Sequence, residues 1–202
     1  MSEQPSNWNL PNALTTLRIV MVPFFGWALL VDGGDSVLWR MVAWVLFAAA
    51  MITDKVDGDI ARSRNLVTNF GKIADPIADK ALTGMAFVGL SIIGDLWWWV
   101  TVLVLVREWG ITLLRLWVIR YGVMAAGSGG KLKTVLQTVA LGLFVLPLLL
   151  LEGAWGTVGE VIWWLACLVM AAAVSLTLVT GADYVAKALT VRREGRSRVG
   201  TP

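Results

Sequence analysis

Residues 53–80 read TDKVDGDIARSRNLVTNFGKIADPIADK, and they set Asp54, Asp57, Asp75 and Asp79 inside an otherwise apolar chain. Asp54 and Asp57 are three apart, and Asp75 and Asp79 four apart. Residues at those spacings share one face of a helix. The stretch therefore reads as two helical carboxylate pairs joined by a short basic turn, Arg62 to Asn69. Four carboxylates aimed at one another repel unless a cation lies between them, and divalent metal ions with oxygen ligands are the candidates. The competing reading is a set of solvated charges on a loop. Asp59, Arg64 and Asn65 suit that reading. Asp75 and Asp79 do not, because they open a long apolar run in which ionisable residues are costly and usually functional.

Outward from this stretch the chain is a membrane protein by composition. Its 202 residues are 57% hydrophobic with a mean hydropathy of +0.73, and the apolar residues fall in long runs. Twelve Trp against two Tyr suit interfacial or lipid-facing positions. There is no His, so a Ser-His-Asp triad or a His-bound zinc within this chain is excluded. Cys167 is the sole cysteine; it can form no internal disulfide and is expected as a small buried hydrophobe. Acid–base chemistry falls to Asp, Glu, Lys, Arg or Tyr.

Six apolar spans are expected, an all-α integral membrane fold. Met1 to Asn9 are polar and lack a basic leader, which argues against a cleavable signal. Asn12 is read as the N-cap of a first span over about 14–31, which carries Arg18 either as a snorkelling side chain or as a phosphate contact. Asp32-Gly33-Gly34-Asp35 is a turn. The second span covers about 38–52 and continues into the motif. The third covers about 71–93, with Pro76 placed to bend it between its two carboxylates. Gly94-Asp95 turns into a fourth, about 96–120. Gly127 to Lys131 forms a loop before a fifth, about 132–151, and Glu152-Gly153 precedes the sixth, about 158–179. The domain reading is a polar segment 1–13, a six-helix domain 14–187 and a basic tail 188–202.

Charge chooses the side. Arg62, Arg64, Lys72, Arg120, Lys131, Lys133, Arg192, Arg193, Arg196 and Arg198 fall in one set of loops and the tail. Asp32, Asp35, Asp95, Glu152 and Glu160 fall in the other, with Arg40 as the basic exception. The positive-inside rule places both termini and the aspartates on the cytoplasmic side of the cell membrane. The tail is read as a topology signal and anionic-lipid anchor, not a nucleic-acid binder. Asp79 lies about 12 Å along its helix from Gly71, so the polar site sits near the cytosolic interface, whereas a transporter would put its charges near the midplane.

Asp54, Asp57, Gly58, Ala61, Arg62, Gly71, Asp75 and Asp79 spell D-x2-D-G-x2-A-R-x8-G-x3-D-x3-D. This resembles the signature of the CDP-alcohol phosphatidyltransferase family, with every fixed position present. The resemblance implies transfer of a phosphatidyl group from a CDP-linked lipid to an alcohol, with release of CMP. It implies two divalent cations, Mg²⁺ with Mn²⁺ as the alternative, held by Asp54, Asp57, Asp75 and Asp79. It implies that Asp79 is also the catalytic base. Gly58, Ala61 and Gly71 would leave room for the cytidine beside Asp57, and Arg62 would meet the donor's phosphates. A homodimer is implied as well. Bottom-up chemistry agrees, because a pyrophosphate leaving group needs its charge neutralised and glycine allows close approach of a nucleotide to backbone.

Asn9 to Arg18, Asp75 to Lys80, Arg107-Glu108 with Arg115, and Gly130 to Thr134 with Gln137 resemble the glycerol-phosphate branch of that family. The implied substrates are CDP-diacylglycerol and glycerol 3-phosphate. An acceptor bearing a phosphate dianion needs cations, for which Arg107, Arg115, Lys131 and Lys133 are the candidates. Arg107 and Arg115 are about two turns apart on roughly one face. Interfacial anchoring competes for Lys131 and Lys133, and an ion pair for Arg107, although adjacent residues such as Glu108 do not share its face. The remaining alternatives are inositol phosphate or phosphatidylglycerol as acceptor, a divalent-cation transporter, and a membrane scaffold.

Overall fold

A computed structural model describes residues 9–64, 66, 68–118 and 129–199. The readings made for residues 1–8, Asn65, Arg120, Gly127, Ser128 and the side chains of Arg193, Arg196 and Arg198 lie outside the described residues. Among the described residues the apolar runs become six helices: α1 Leu10–Leu30, α2 Val37–Ser63, α3 Asn69–Ile92, α4 Trp98–Val118, α5 Gly129–Val145 and α6 Ala154–Val199. Short 3₁₀ turns lie at Val31–Gly34 and Pro147–Leu150, and there is no strand among the described residues.

Local chemistry starts and stops them. The N-cap of α1 is Asn9, not Asn12. Asn9 is extended (φ −136°, ψ 163°) and its side chain accepts from the Asn12 amide at 2.9 Å. Pro11 explains the shift: it suits the first helical turn, where no N–H is needed, so the helix begins ahead of it. Ser36 caps α2, and Thr68 caps α3 by accepting from the Gly71 amide at 3.0 Å. Asp32, Gly33 and Gly34 close α1 with φ of 53°, 68° and 89°, the left-handed region that stops a helix. α3 continues through Pro76, whose missing N–H leaves the Lys72 carbonyl without its helical donor.

Among the described residues three helices are long and apolar enough to cross a membrane, Leu10–Gly34, Val37–Ser63 and Ala154–Arg192. α3 carries Lys72, Asp75, Asp79 and Lys80, and α4 carries Arg107, Glu108 and Arg115. α5 has 17 residues. α6 does not end near Val179, as the apolar run suggested. It continues for 46 residues, about 69 Å at the helical rise and roughly twice the thickness of a hydrocarbon core. The polar segment kept helical includes Asp183 and Lys187, paired one turn apart at 2.7 Å. Large apolar side chains stay exposed, among them Trp98, Trp99, Trp164, Leu168 and Val179, as a lipid-facing surface requires. Cys167 is free and half-buried, not in the core, because α6 turns that face partly outward.

The chain divides into two compact units, Met1–Leu96 with Leu141–Trp163, and Trp97–Ala140 with Trp164–Pro202. In the first, α1 packs on both α2 and α3. Glycine makes the α1–α3 contact close: Met85 fills the space beside Gly26, and Leu29 the space beside Gly89, where a Cβ would come within 2.7 Å and 2.6 Å of them. Phe25 meets Phe47 and Trp27 meets Trp39 across α1 and α2, with centroids 5.7 Å and 4.8 Å apart. Arg40, the basic exception among the acidic loops, is internally neutralised. It pairs with Asp95 at 2.7 Å and donates to the Phe144 and Val145 carbonyls ending α5 at 2.7 Å and 3.2 Å.

Candidate active site

α1 is apolar around most of its circumference, yet Asn12, Thr15 and Arg18 recur at spacing three and all are buried. They form one polar stripe, and α2 and α3 bring the acidic residues to it. Arg18, with no exposed surface, donates through Nη1 to Asp54 Oδ1 and through Nη2 to Asp57 Oδ2. Thr15 Oγ1 donates to Asp75 Oδ1 at 2.6 Å and lies 3.5 Å from Asp57 Oδ2. Asn12 Oδ1 accepts from the Thr68 hydroxyl at 3.0 Å, which ties the stripe to the cap of α3. The expected choices for Arg18 were a snorkelling side chain or a phosphate contact. The structure shows instead a buried ion pair with two of the motif's own aspartates.

Beside this network lies a cavity of about 200 Å³ lined by Pro11, Asn12, Thr15, Asp57, Gly58, Ala61, Arg62, Leu66, Thr68, Gly71, Lys72 and Asp75. Every residue expected to face the CDP-lipid (Asp57, Gly58, Ala61, Arg62 and Gly71) is in that wall. The missing side chains matter at two points. A Cβ on Gly71 would come 3.1 Å from Asn12 Oδ1, and one on Gly58 3.2 Å from Arg62 Nη2. The wall joins two carboxylates to two cations, Arg62 and Lys72, and includes Thr68 and Gly71 from the first turn of α3. A helix N-terminus with nearby cations favours a phosphate anion. Asp59, expected as a solvated charge, is 64% exposed and pairs with Arg62 at 2.9 Å.

Asp54 and Asp79 are not part of the cavity wall. Asp54 keeps 44% of its side chain exposed while Asp57 keeps 3%, so the pair is graded from surface to interior. Asp79 lies one turn beyond Asp75 on α3, half-buried, with its carbonyl accepting from Thr83 at 2.8 Å. Among the described residues no three carboxylates already converge as a metal cage. Two of them do converge on a single cationic group, Arg18, and a third joins through Thr15. That donor set is all hard oxygen, the chemistry that suits a hard divalent cation.

The second unit holds the other predicted cations. Glu108 Oε1 accepts from both Arg107 Nη1, at 3.0 Å, and Lys133 Nζ. The expectation that Arg107 and Glu108 do not meet is corrected here: both side chains are long enough to reach along the helix surface despite their adjacent Cα positions. Arg107 also donates to the Thr177 carbonyl at 3.2 Å and the Thr180 hydroxyl at 2.7 Å, both on α6. Arg115 donates to the Tyr184 hydroxyl at 2.7 Å, with its guanidinium 4.8 Å from that ring's centroid. Lys131 is exposed at the start of α5, and Lys133 is buried.

The family model described as CDP-alcohol phosphatidyltransferase matches residues 8–179. The chain belongs to the CDP-alcohol phosphatidyltransferase family. A Mycobacterium tuberculosis protein named "Probable phosphatidylglycerophosphate synthase" is 56% identical over 181 residues, 90% of this chain and 82% of the relative. The Bacillus subtilis CDP-diacylglycerol–glycerol-3-phosphate 3-phosphatidyltransferase is 35% identical over 89% of this chain and 95% of its own length. The Escherichia coli protein of the same name is 36% identical over 66% of this chain and 75% of its own. Within this family member, sequence reasoning had singled out the motif on α2 and α3 but not Asn12, Thr15 or Lys72 as parts of the same site. A signal for the first two was available: with Arg18 they are the only polar residues at spacing three on an apolar helix.

Proposed function

We propose that this chain transfers the phosphatidyl group of CDP-diacylglycerol to the 1-hydroxyl of glycerol 3-phosphate, giving phosphatidylglycerol phosphate and CMP. One observation carries the reading: all five motif residues assigned to the nucleotide side line one cavity, together with Asp75 of the same motif. Membership in the family supports the donor. The acceptor is the one named in the Bacillus subtilis and Escherichia coli relatives.

In this reading Gly58, Ala61 and Gly71 receive the cytidine, while Arg62, Lys72 and the N-terminus of α3 hold the pyrophosphate. Asp54, Asp57, Asp75 and Asp79 hold two divalent cations, which supply charge neutralisation at the scissile phosphate when bound. Asp79 takes the proton from the acceptor hydroxyl as that oxygen attacks the lipid-bearing phosphorus; the anhydride P–O bond to the cytidine phosphate breaks, and CMP departs with the bridging oxygen and its electron pair. Arg107, Arg115, Lys131 and Lys133 receive the acceptor's phosphate. Glu108 brings Arg107 and Lys133 together on one carboxylate oxygen, so the acceptor's phosphate would compete with Glu108 for them. Six spans, cytoplasmic termini, a site open to the cytosolic interface of the cell membrane and a homodimeric state complete the reading.

The test is CMP release from purified protein with CDP-diacylglycerol and Mg²⁺, offering glycerol 3-phosphate, inositol phosphate or phosphatidylglycerol separately. Release with glycerol 3-phosphate alone is expected. Release with another acceptor replaces the substrate assignment, and release with none refutes the transferase reading in favour of a vesicle-flux test for cation transport.

A further inference from the structure

Buried arginines are paired or they are costly, and removing one partner leaves an uncompensated buried charge. Arg18 is fully buried and forks across two carboxylates on a different helix, one oxygen from each. The contact engages Asp54 Oδ1 and Asp57 Oδ2, so each carboxylate keeps a second oxygen that Arg18 does not use. Arg18 Nε, also buried, has no hydrogen-bond partner. A guanidinium this enclosed acts as a fixed brace.

We propose that Arg18 is a positioning residue: from α1 it locks the Asp54 and Asp57 carboxylates of α2 at one orientation, leaving their other oxygens to bind a divalent cation. The inference rests on the metal site of the proposed function. Outer contacts of this kind orient metal ligands, and their loss weakens metal binding by about 10–100-fold. Arg18 also offsets one of the negative charges that would otherwise repel in the absence of metal. Arginine suits the task where lysine does not, because a planar fork spans two acceptors and an ammonium is a point donor.

The experiment measures Mn²⁺ binding to the full chain in nanodiscs by the loss of the free-ion electron paramagnetic resonance signal, with thermal unfolding alongside. Arg18→Met is expected to raise the Mn²⁺ Kd by about 10–100-fold, and Arg18→Lys by less. Arg40→Met removes another buried paired arginine of the same unit. It is expected to lower the unfolding temperature and leave the Mn²⁺ Kd unchanged. An Arg18→Met protein with the wild-type Kd, or a lower one, refutes the brace; a lower Kd would mean that Arg18 competes with the metal. Loss of the folded protein in both Arg18 variants also refutes it, by making Arg18 a folding residue. If wild-type protein takes up no Mn²⁺, the metal reading itself fails, and that result is separate from the others.

Discussion

Thr15→Val tests the α1 stripe with the smallest change of shape. The hydroxyl is 1% exposed with its residue and donates to Asp75 Oδ1 at 2.6 Å. Valine keeps the branched outline and removes only the donor. Asp75 then loses a charge-assisted bond, worth about 1.5–3 kcal/mol when the acceptor is ionised. Should all of that act at the transition state, CMP release would fall by about 10- to 150-fold, since each 1.36 kcal/mol is tenfold. Thr15→Ser keeps the donor and deletes a methyl, at a cost of about 1 kcal/mol in stability. The pair therefore separates chemistry from packing. Thr15→Ser should lose thermal stability but retain activity, while Thr15→Val should lose activity. The assay is CMP release at saturating CDP-diacylglycerol, with thermal unfolding in the same detergent. Wild-type activity in Thr15→Val, or equal activity losses in the two variants, would refute the claim that α1 organises Asp75.

Three further outcomes are expected. Asp79→Asn keeps the fold, because the side chains are nearly isosteric, and lowers turnover by about 100-fold or more, the usual worth of a general base; single-turnover CMP release checks it. Gly89→Val forces a side chain into the space of Leu29, whose Cδ2 lies 2.6 Å from the position of a Cβ, and should destabilise the α1–α3 contact by about 1–3 kcal/mol, read as a lower unfolding temperature. Arg115→Gln removes an exposed cation that donates to Tyr184; it should raise KM for glycerol 3-phosphate by about tenfold, roughly 1.4 kcal/mol, and leave KM for CDP-diacylglycerol unchanged.

What was legible in the sequence was local. Six helices, the turns at Gly33, Gly94 and Gly153, and the two carboxylate pairs all follow from backbone geometry within a few residues. Spacing alone puts Asp54 with Asp57 and Asp75 with Asp79 on their helix faces, because the helical repeat needs no partner to define it. Boundaries that hinge on one competing residue were less secure: Asn9 and Asn12 are both good caps, and Pro11 between them decides for Asn9. The end of α6 was not legible either, since its polar continuation has no apolar signal; within it Asp183 and Lys187 pair one turn apart.

Partnership across helices belongs to the tertiary structure. Nothing near Arg18 in the chain announces Asp54 and Asp57, which lie 36 and 39 residues away. Their meeting depends on the register at which α1 docks, set where Leu29 fills the space beside Gly89 and Met85 the space beside Gly26. A rotation of one residue, about 100° around the helix, would turn the Asn12–Thr15–Arg18 stripe away from its acids. The sequence by itself therefore determined the membrane class, the helices and the chemical identity of the motif, because these are written in composition and helical period. Only the packed structure decided which buried cation pairs with which carboxylate, because close packing selects one register from several that the periodicity allows.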